Sequence, residues 1–303
     1  MPFREAVVTI NRDDVSAFLS DWSIEIVPTE GLAIDTSLRG AREGTPIYVT
    51  AIPGHDTRNV IDASVRLRKA NFEPIPHISA RGLVDHKQLN DLLVRLRGEA
   101  DVHSALLLGG DIHDVVGDFA SSRAILETGL FTRHGFRKVG FATYAEPHPW
   151  ISQALLEREL MSKLRLSAEQ GLESWLVSQL CFAADSIVRH AEYLRANGIT
   201  APLHVGFAGP TSWKSMAKFA AICGVSNSAR SLSAQVSRVG RLLAGFEPSE
   251  MISRIAATAT AQPDLGLVKP HFFTFGGAER TVKWINSFSA RHPGRDVDEW
   301  SES

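Results

Sequence analysis

The 303-residue chain has only two cysteines, Cys181 and Cys223, each set in an apolar segment. Thiols so few and so placed argue against a disulfide framework and a cysteine-rich metal site, and they fit a reducing cytoplasm. An excess of either charge is also missing. Lys plus Arg at 32 against Asp plus Glu at 34 gives a formal net charge of -2, which removes the electrostatic case for nucleic acid or an anionic membrane as partner. A small molecule is the expected partner; the sequence leaves the oligomeric state open, a homo-oligomer included. No apolar run reaches the ~18 residues of a membrane span. Met1-Pro-Phe-Arg-Glu5 leads into mixed polar sequence rather than a signal-peptide core, so a cytoplasmic protein is expected. A Gly-rich phosphate turn is absent after the first apolar run, where Val27-Pro-Thr-Glu-Gly31 stands, and this argues against a doubly wound dinucleotide fold. His77, His103 and His113 share no ligand spacing, so no metal is expected.

What the chain does have is rhythm. Apolar, β-branched runs fall near 22–27, 46–51, 73–78, 102–108, 138–143, 174–180, 203–207 and 270–275, mostly separated by segments of helical periodicity. Val60, Ile61, Val65 and Leu67 share a face of a helix over 56–70, and Leu89, Leu92, Leu93 and Leu96 do so over 85–97; Asp56 and Asp85 are suited to cap them. Further helices are expected at 117–128, 150–165, 184–197, 212–222 and 278–290, with an extra helical stretch at 229–261. Eight strands alternating with helices over this length predict an α/β fold, a single (β/α)8 TIM barrel covering residues 1–303, with its site at the C-terminal ends of the strands.

Polar residues gather at those ends. Ala105-Leu-Leu-Leu-Gly-Gly-Asp111 is an apolar strand that runs into two glycines and a carboxylate, a place where backbone can approach a ligand. Glu25 interrupts Ile24 and Ile26, Thr50 and His77 end the second and third runs, Tyr144, Glu146 and His148 follow the fifth, and Gln179 ends the sixth.

In this order the motifs resemble the methylenetetrahydrofolate reductases over about Ser23 to Ser287. Ile24-Glu-Ile-Val-Pro28 resembles that family's first strand, Pro76-His77 its third, Leu108-Gly-Gly-Asp111 its Leu-Arg-Gly-Asp, and Phe119-Ala-Ser121 its Tyr-Ala-Ser. Tyr144-Ala-Glu-Pro-His-Pro149 is similar to Tyr-Pro-Glu-x-His-Pro, the most specific match. Leu160-Met-Ser-Lys163, Ser178-Gln179 and His271-Phe-Phe-Thr274 with Ala278-Glu279 complete the series.

The resemblance implies reduction of 5,10-methylenetetrahydrofolate to 5-methyltetrahydrofolate by NADH or NADPH through bound FAD. That reaction needs a proton donor to open the five-membered ring and a hydride for the exposed carbon. Glu25 suits the first task, because desolvation in a partly apolar mouth favours a protonated carboxyl; its alternative is a structural ion pair. The resemblance places Asp111 near flavin and pterin, against a helix-capping role, and gives Gln179 and Trp213 to the substrate, against a backbone-satisfied amide and a loop anchor. For the flavin it implies Thr50, His77, Leu108, Gly110, Asp111, Phe119, Ala120, Tyr144, His148 and Lys163, the last meeting the pyrophosphate.

Two departures stand out. Gly109 replaces the Arg of Leu-Arg-Gly-Asp, and Gly277 replaces an Arg that helps hold folate; Arg280 or Lys214 could substitute for the second. Two further functions therefore stay open, a flavin-independent hydride transfer from the nicotinamide and a non-catalytic folate-binding barrel.

Overall fold

The computed structural model describes residues 11–28, 34–110, 114–222 and 245–292. Eight strands, all parallel, close in sequence order into a barrel: β1 (Ser23–Ile26), β2 (Pro46–Val49), β3 (Glu73–Ser79), β4 (Ser104–Leu108), β5 (Lys138–Thr143), β6 (Glu173–Ser178), β7 (Leu203–Ala208) and β8 (Leu267–Phe273). The helices are α1 (Arg12–Phe18), α2 (Ile34–Ser37), α3 (Arg58–Lys69), α4 (His86–Ala100), α5 (Ser122–Glu127), α6 (Leu130–Arg133), α7 (Gln153–Glu169), α8 (Ala184–Ala196), α9 (Trp213–Ile222), α10 (Ser249–Ala261) and α11 (Ala278–Ala290). This is the expected (β/α)8 architecture.

Local differences have simple causes. The last strand begins at Leu267 rather than near 270 and stops at Phe273, because Leu203 to Ala208 of β7 pair with it from Leu267 to Phe273, with one register shift after Leu203 that passes over Val268. Asp85 is the N-cap of α4 and accepts from the Gln88 N–H. Asp56 sits one residue before the N-cap Thr57 of α3 and accepts from the Arg58 N–H at 2.8 Å. Of the extra stretch expected at 229–261, α10 covers 249–261, and 229–244 lies outside the described residues.

Strand alternation sorts side chains into two layers. Ile24, Ile26, Ile47, Ala105, Leu107, Phe141, Leu176, Val205 and Phe272 pack outward into a large core shared with the helices. Tyr48, Ile75, Leu106, Trp175 and Val177 form a separate buried cluster inside the barrel. Gly140 pairs in register with Trp175, and a Cβ there would stand 2.4 Å from indole carbon Cε2. The missing side chain on β5 is therefore what gives the Trp175 ring its room. Its Nε1–H donates to the Tyr48 hydroxyl at 2.9 Å. Among the described residues no helix is long and apolar enough to cross a membrane.

Candidate active site

Barrel closure brings β1 beside β8, with Ser23 opposite His271 and Glu25 opposite Phe273. Because Ile24 and Ile26 are buried under the helices, the intervening Glu25 faces the interior, where its side chain is 20% exposed. Its backbone is held from both sides. The Thr274 hydroxyl donates to the Glu25 carbonyl at 2.7 Å, and the Thr50 hydroxyl and N–H donate to the Ile26 carbonyl at 3.2 and 3.0 Å.

Two imidazoles flank the carboxylate. His77 Nε2 and His271 Nε2 each lie 3.8 Å from Glu25 Oε2. Both nitrogens are buried and neither has a hydrogen-bond partner in the structure, an arrangement that normally needs a reason. His271 is anchored at its other nitrogen, where Nδ1 is 3.0 Å from the Ser23 hydroxyl. The Tyr48 ring meets His271 edge-on at 4.4 Å and His77 at 6.0 Å. Burial pushes His77 down to about 4, against the opposing pull of Glu25, so its ring is neutral near pH 7. Burial likewise pushes the Tyr48 phenol up and His204 well down, which keeps both uncharged.

Of two cavities in the structure, one includes a residue of this centre, His77, and the other lies away from it. The latter, of about 440 Å³, lies against the ends of β4 and β5 and helices α7 and α8, and its lining includes Leu108, Gly109, Tyr144 and Lys163. Lys163 donates to the Ser122 hydroxyl at 3.4 Å and lies 5.0 Å from the Phe141 ring centre, and burial lowers it to about 8. A buried ammonium with one long hydrogen bond is suited to meet an anion. The other cavity, of about 500 Å³, is bounded by the loop after β2 and includes His77 and Ser79. Thr50 stands beside it, next to the lining residue Ala51.

The remaining expected site residues are distributed as follows. Gln179 shares a small recess with Tyr144, Glu146 and His148, and its side-chain oxygen accepts from the Leu180 N–H at 2.8 Å. His148 Nδ1 accepts from the N–H groups of Trp150 and Ile151 at 3.2 Å, and its ring packs edge-on against Tyr144 at 5.0 Å. Gly110 has φ +100°, and a Cβ there would stand 2.1 Å from the Ser79 hydroxyl, so its glycine is needed for packing against β3. Phe119 is 2% exposed, contacts the His86 ring at 4.8 Å and lines neither cavity. Ala120 is exposed, and its carbonyl accepts from Arg81 at 3.0 Å. Asp111 lies outside the described residues.

Trp213 opens α9 and meets Phe246 edge-on at 5.6 Å. Phe246 belongs to a group with Phe182, Phe273 and Phe275 around buried Leu180 and Ala208. Arg280 is exposed at the first turn of α11. Sequence reasoning gave no role to Ser23, His271 or this phenylalanine group. The period-two pattern Lys269, His271, Phe273 was the available signal for the interior of β8.

No protein-family model matches the sequence. The fold is similar to that of an uncharacterized protein from Clostridium thermocellum that binds two copies of 5-methyl-5,6,7,8-tetrahydrofolic acid. The TM-score is 0.53 at 11% identity, over 91% of this chain and 100% of that one. At that identity the likeness establishes the shared barrel.

Proposed function

We propose that this protein reduces 5,10-methylenetetrahydrofolate to 5-methyltetrahydrofolate, with NADH or NADPH as electron source and Glu25 as general acid. The observation that carries this reading is a carboxyl fixed at the C-terminal mouth of the barrel between two buried imidazoles. The ordered motif resemblance and the folate-binding barrel of similar fold support it.

Glu25 gives its proton to the ring nitrogen that leaves the one-carbon unit, the C–N bond breaks, and an iminium carbon is exposed to hydride. Gln179 offers its amide N–H groups to the pterin edge, its oxygen being engaged with Leu180. Trp213 and its phenylalanine neighbours offer an apolar surface to the substrate's aryl ring.

The residues present also fit FAD. Lys163 with its single long hydrogen bond would meet the pyrophosphate, and Leu108, Tyr144 and His77 would border the ring. When bound, FAD supplies a two-electron relay between nicotinamide and folate. Direct transfer from the nicotinamide is the second reading. It is favoured by the missing side chain at Gly109 and by Glu159 in the same cavity as Lys163.

The test is to incubate purified protein with 5,10-methylenetetrahydrofolate and NADH or NADPH, with and without FAD, and quantify 5-methyltetrahydrofolate by mass spectrometry. Product in any combination supports the reading. No product in all four, from protein that is folded, refutes it. A flavin absorbance band separates the two electron routes.

A further inference from the structure

Helix α7 covers the barrel wall loosely. Of its 17 residues only Leu160 and Ser167 are buried, and the cavity of about 440 Å³ lies between the helix and Ala142 and Thr143 of β5. Lys163 stands three residues after Leu160 and four before Ser167, so helical spacing turns its stem inward with theirs. Its ammonium ends 3.4 Å from the Ser122 hydroxyl and 5.0 Å from the centre of the Phe141 ring. Among the described residues it forms no ion pair, because Glu159, one turn before it, is taken by Arg123 at 3.2 Å. Other lysines are held differently. Lys138 and Lys283 each meet a carboxylate at 2.6 Å, and Lys269 does so at 2.9 Å.

We propose that Lys163 is a modification site, acylated by short activated acyl groups that reach it through this cavity as acyl phosphates or thioesters. The free amine attacks the carbonyl carbon, and the bond to the phosphate oxygen or the thiol sulfur breaks with its electron pair. The proton lost from Nζ goes to the departing group. An uncharged amide results, and no oxidant or reductant is consumed. The surroundings supply what a nucleophilic amine needs, since an aromatic face and one long hydrogen bond favour the uncharged form and no carboxylate fixes the ammonium. Burial accordingly lowers Lys163 to about 8. At that pH about half of it is free amine, against about 0.4% for an ordinary lysine near 10.4. Acylation erases the charge assigned above to a cofactor pyrophosphate, so it acts as a brake on that binding. This last effect rests on the proposed reading of Lys163, whereas the modification does not.

To test this, folded wild-type protein is incubated with acetyl phosphate, and separately with acetyl-coenzyme A, from pH 7 to about 10.5, and acetylation of each lysine is followed by peptide mass spectrometry. At pH 8 Lys163 is expected to react about tenfold faster than the exposed Lys69 and Lys87. That figure is a gain of roughly a hundredfold in free amine, offset about tenfold by the fall of nucleophilicity with basicity that thiolates show. The Lys163 rate should level off above about pH 9, while those of Lys69 and Lys87 keep climbing toward about 10.4. Reaction with one donor alone identifies the carrier. A Lys163 rate no higher than theirs with either donor overturns the proposal, as does an advantage that persists in denaturing urea, where the fold no longer supplies it. Protein acetylated at Lys163 should bind ADP about tenfold more weakly than unmodified protein, the equivalent of one charge-assisted hydrogen bond. Fast acetylation with unchanged ADP binding would remove Lys163 from the cofactor site and leave the modification site standing.

Discussion

Arg280 folds its guanidinium back over Gly277, so that a Cβ at position 277 would stand 2.6 Å from Nη2 and 3.3 Å from Cζ. The cation sits where an arginine at 277 would begin, in the loop after β8. Arg280→Ala is therefore expected to raise the folate KM with kcat preserved, the signature of lost uniform binding. A loss of about tenfold corresponds to one charge-assisted hydrogen bond. Steady-state kinetics checks this, and an unchanged KM would leave the position without a role in binding.

Glu25→Gln should reduce folate turnover by about 10²–10⁴-fold, the usual worth of a general acid, because shape is kept and the transferable proton is lost. Any reduction of added flavin by NADH or NADPH should persist. Stopped-flow measurement of the two half-reactions separates them.

Gly109 and Gly110 should respond in opposite ways. A Cβ at 109 meets no atom within 4 Å, whereas one at 110 collides with Ser79 and sits at φ +100°. Gly109→Arg should fold normally and tighten flavin binding by about tenfold or more, as one added charge-assisted contact permits. Gly110→Ala should lower stability by about 1–3 kcal/mol. Flavin titration and thermal melts read these out; equal melts for both variants would contradict the geometry.

His190 is held against the Thr143 hydroxyl at 2.7 Å, and burial lowers it to about 4. Its unfolded counterpart titrates near 6.5. Between those values the unfolded chain binds more protons, so stability falls as pH drops through the window. His77, also near 4, adds to the same loss. Denaturant melts from pH 7 to 4 should show it, and His190→Asn should flatten the slope.

Lys163 follows the same rule at the other end of the scale. With a folded value of about 8 against 10.5, it lowers stability below pH 8 and less so as pH rises toward 10. Lys163→Met should raise Tm by about 2–4 °C at pH 7 if about 1 kcal/mol is recovered, while weakening the binding of ADP-containing ligands. Calorimetry with ADP and adenosine tests the second effect.

The strand runs and the helix faces of α3 and α4 were legible because burial imposes periods of two and 3.6 on local sequence. The place of Glu25 followed from its apolar neighbours Ile24 and Ile26. The partnership of Ser23 with His271 was not legible, since those residues are 248 positions apart and meet only through closure of β1 on β8. Phe119 carried a motif signal, yet its ring is committed to His86 and the core. Lys163 could be placed on a helix from sequence, but its contact with Phe141 and Ser122 depends on how α7 lies over β5 and α5.

The fit of Trp175 into the space left by Gly140 makes the sizes of these two residues interdependent. Enlarging 140 alone forces the indole aside and breaks its hold on Tyr48, the ring against which His271 rests. A change on β5 can thereby reach Glu25 on β1 through the Trp175–Tyr48 hydrogen bond, the Tyr48–His271 ring contact and the approach of His271 to the carboxylate. Evolution along this lineage would have to alter positions 140 and 175 together, and a double-mutant cycle between them should show strong non-additivity in both melting temperature and turnover.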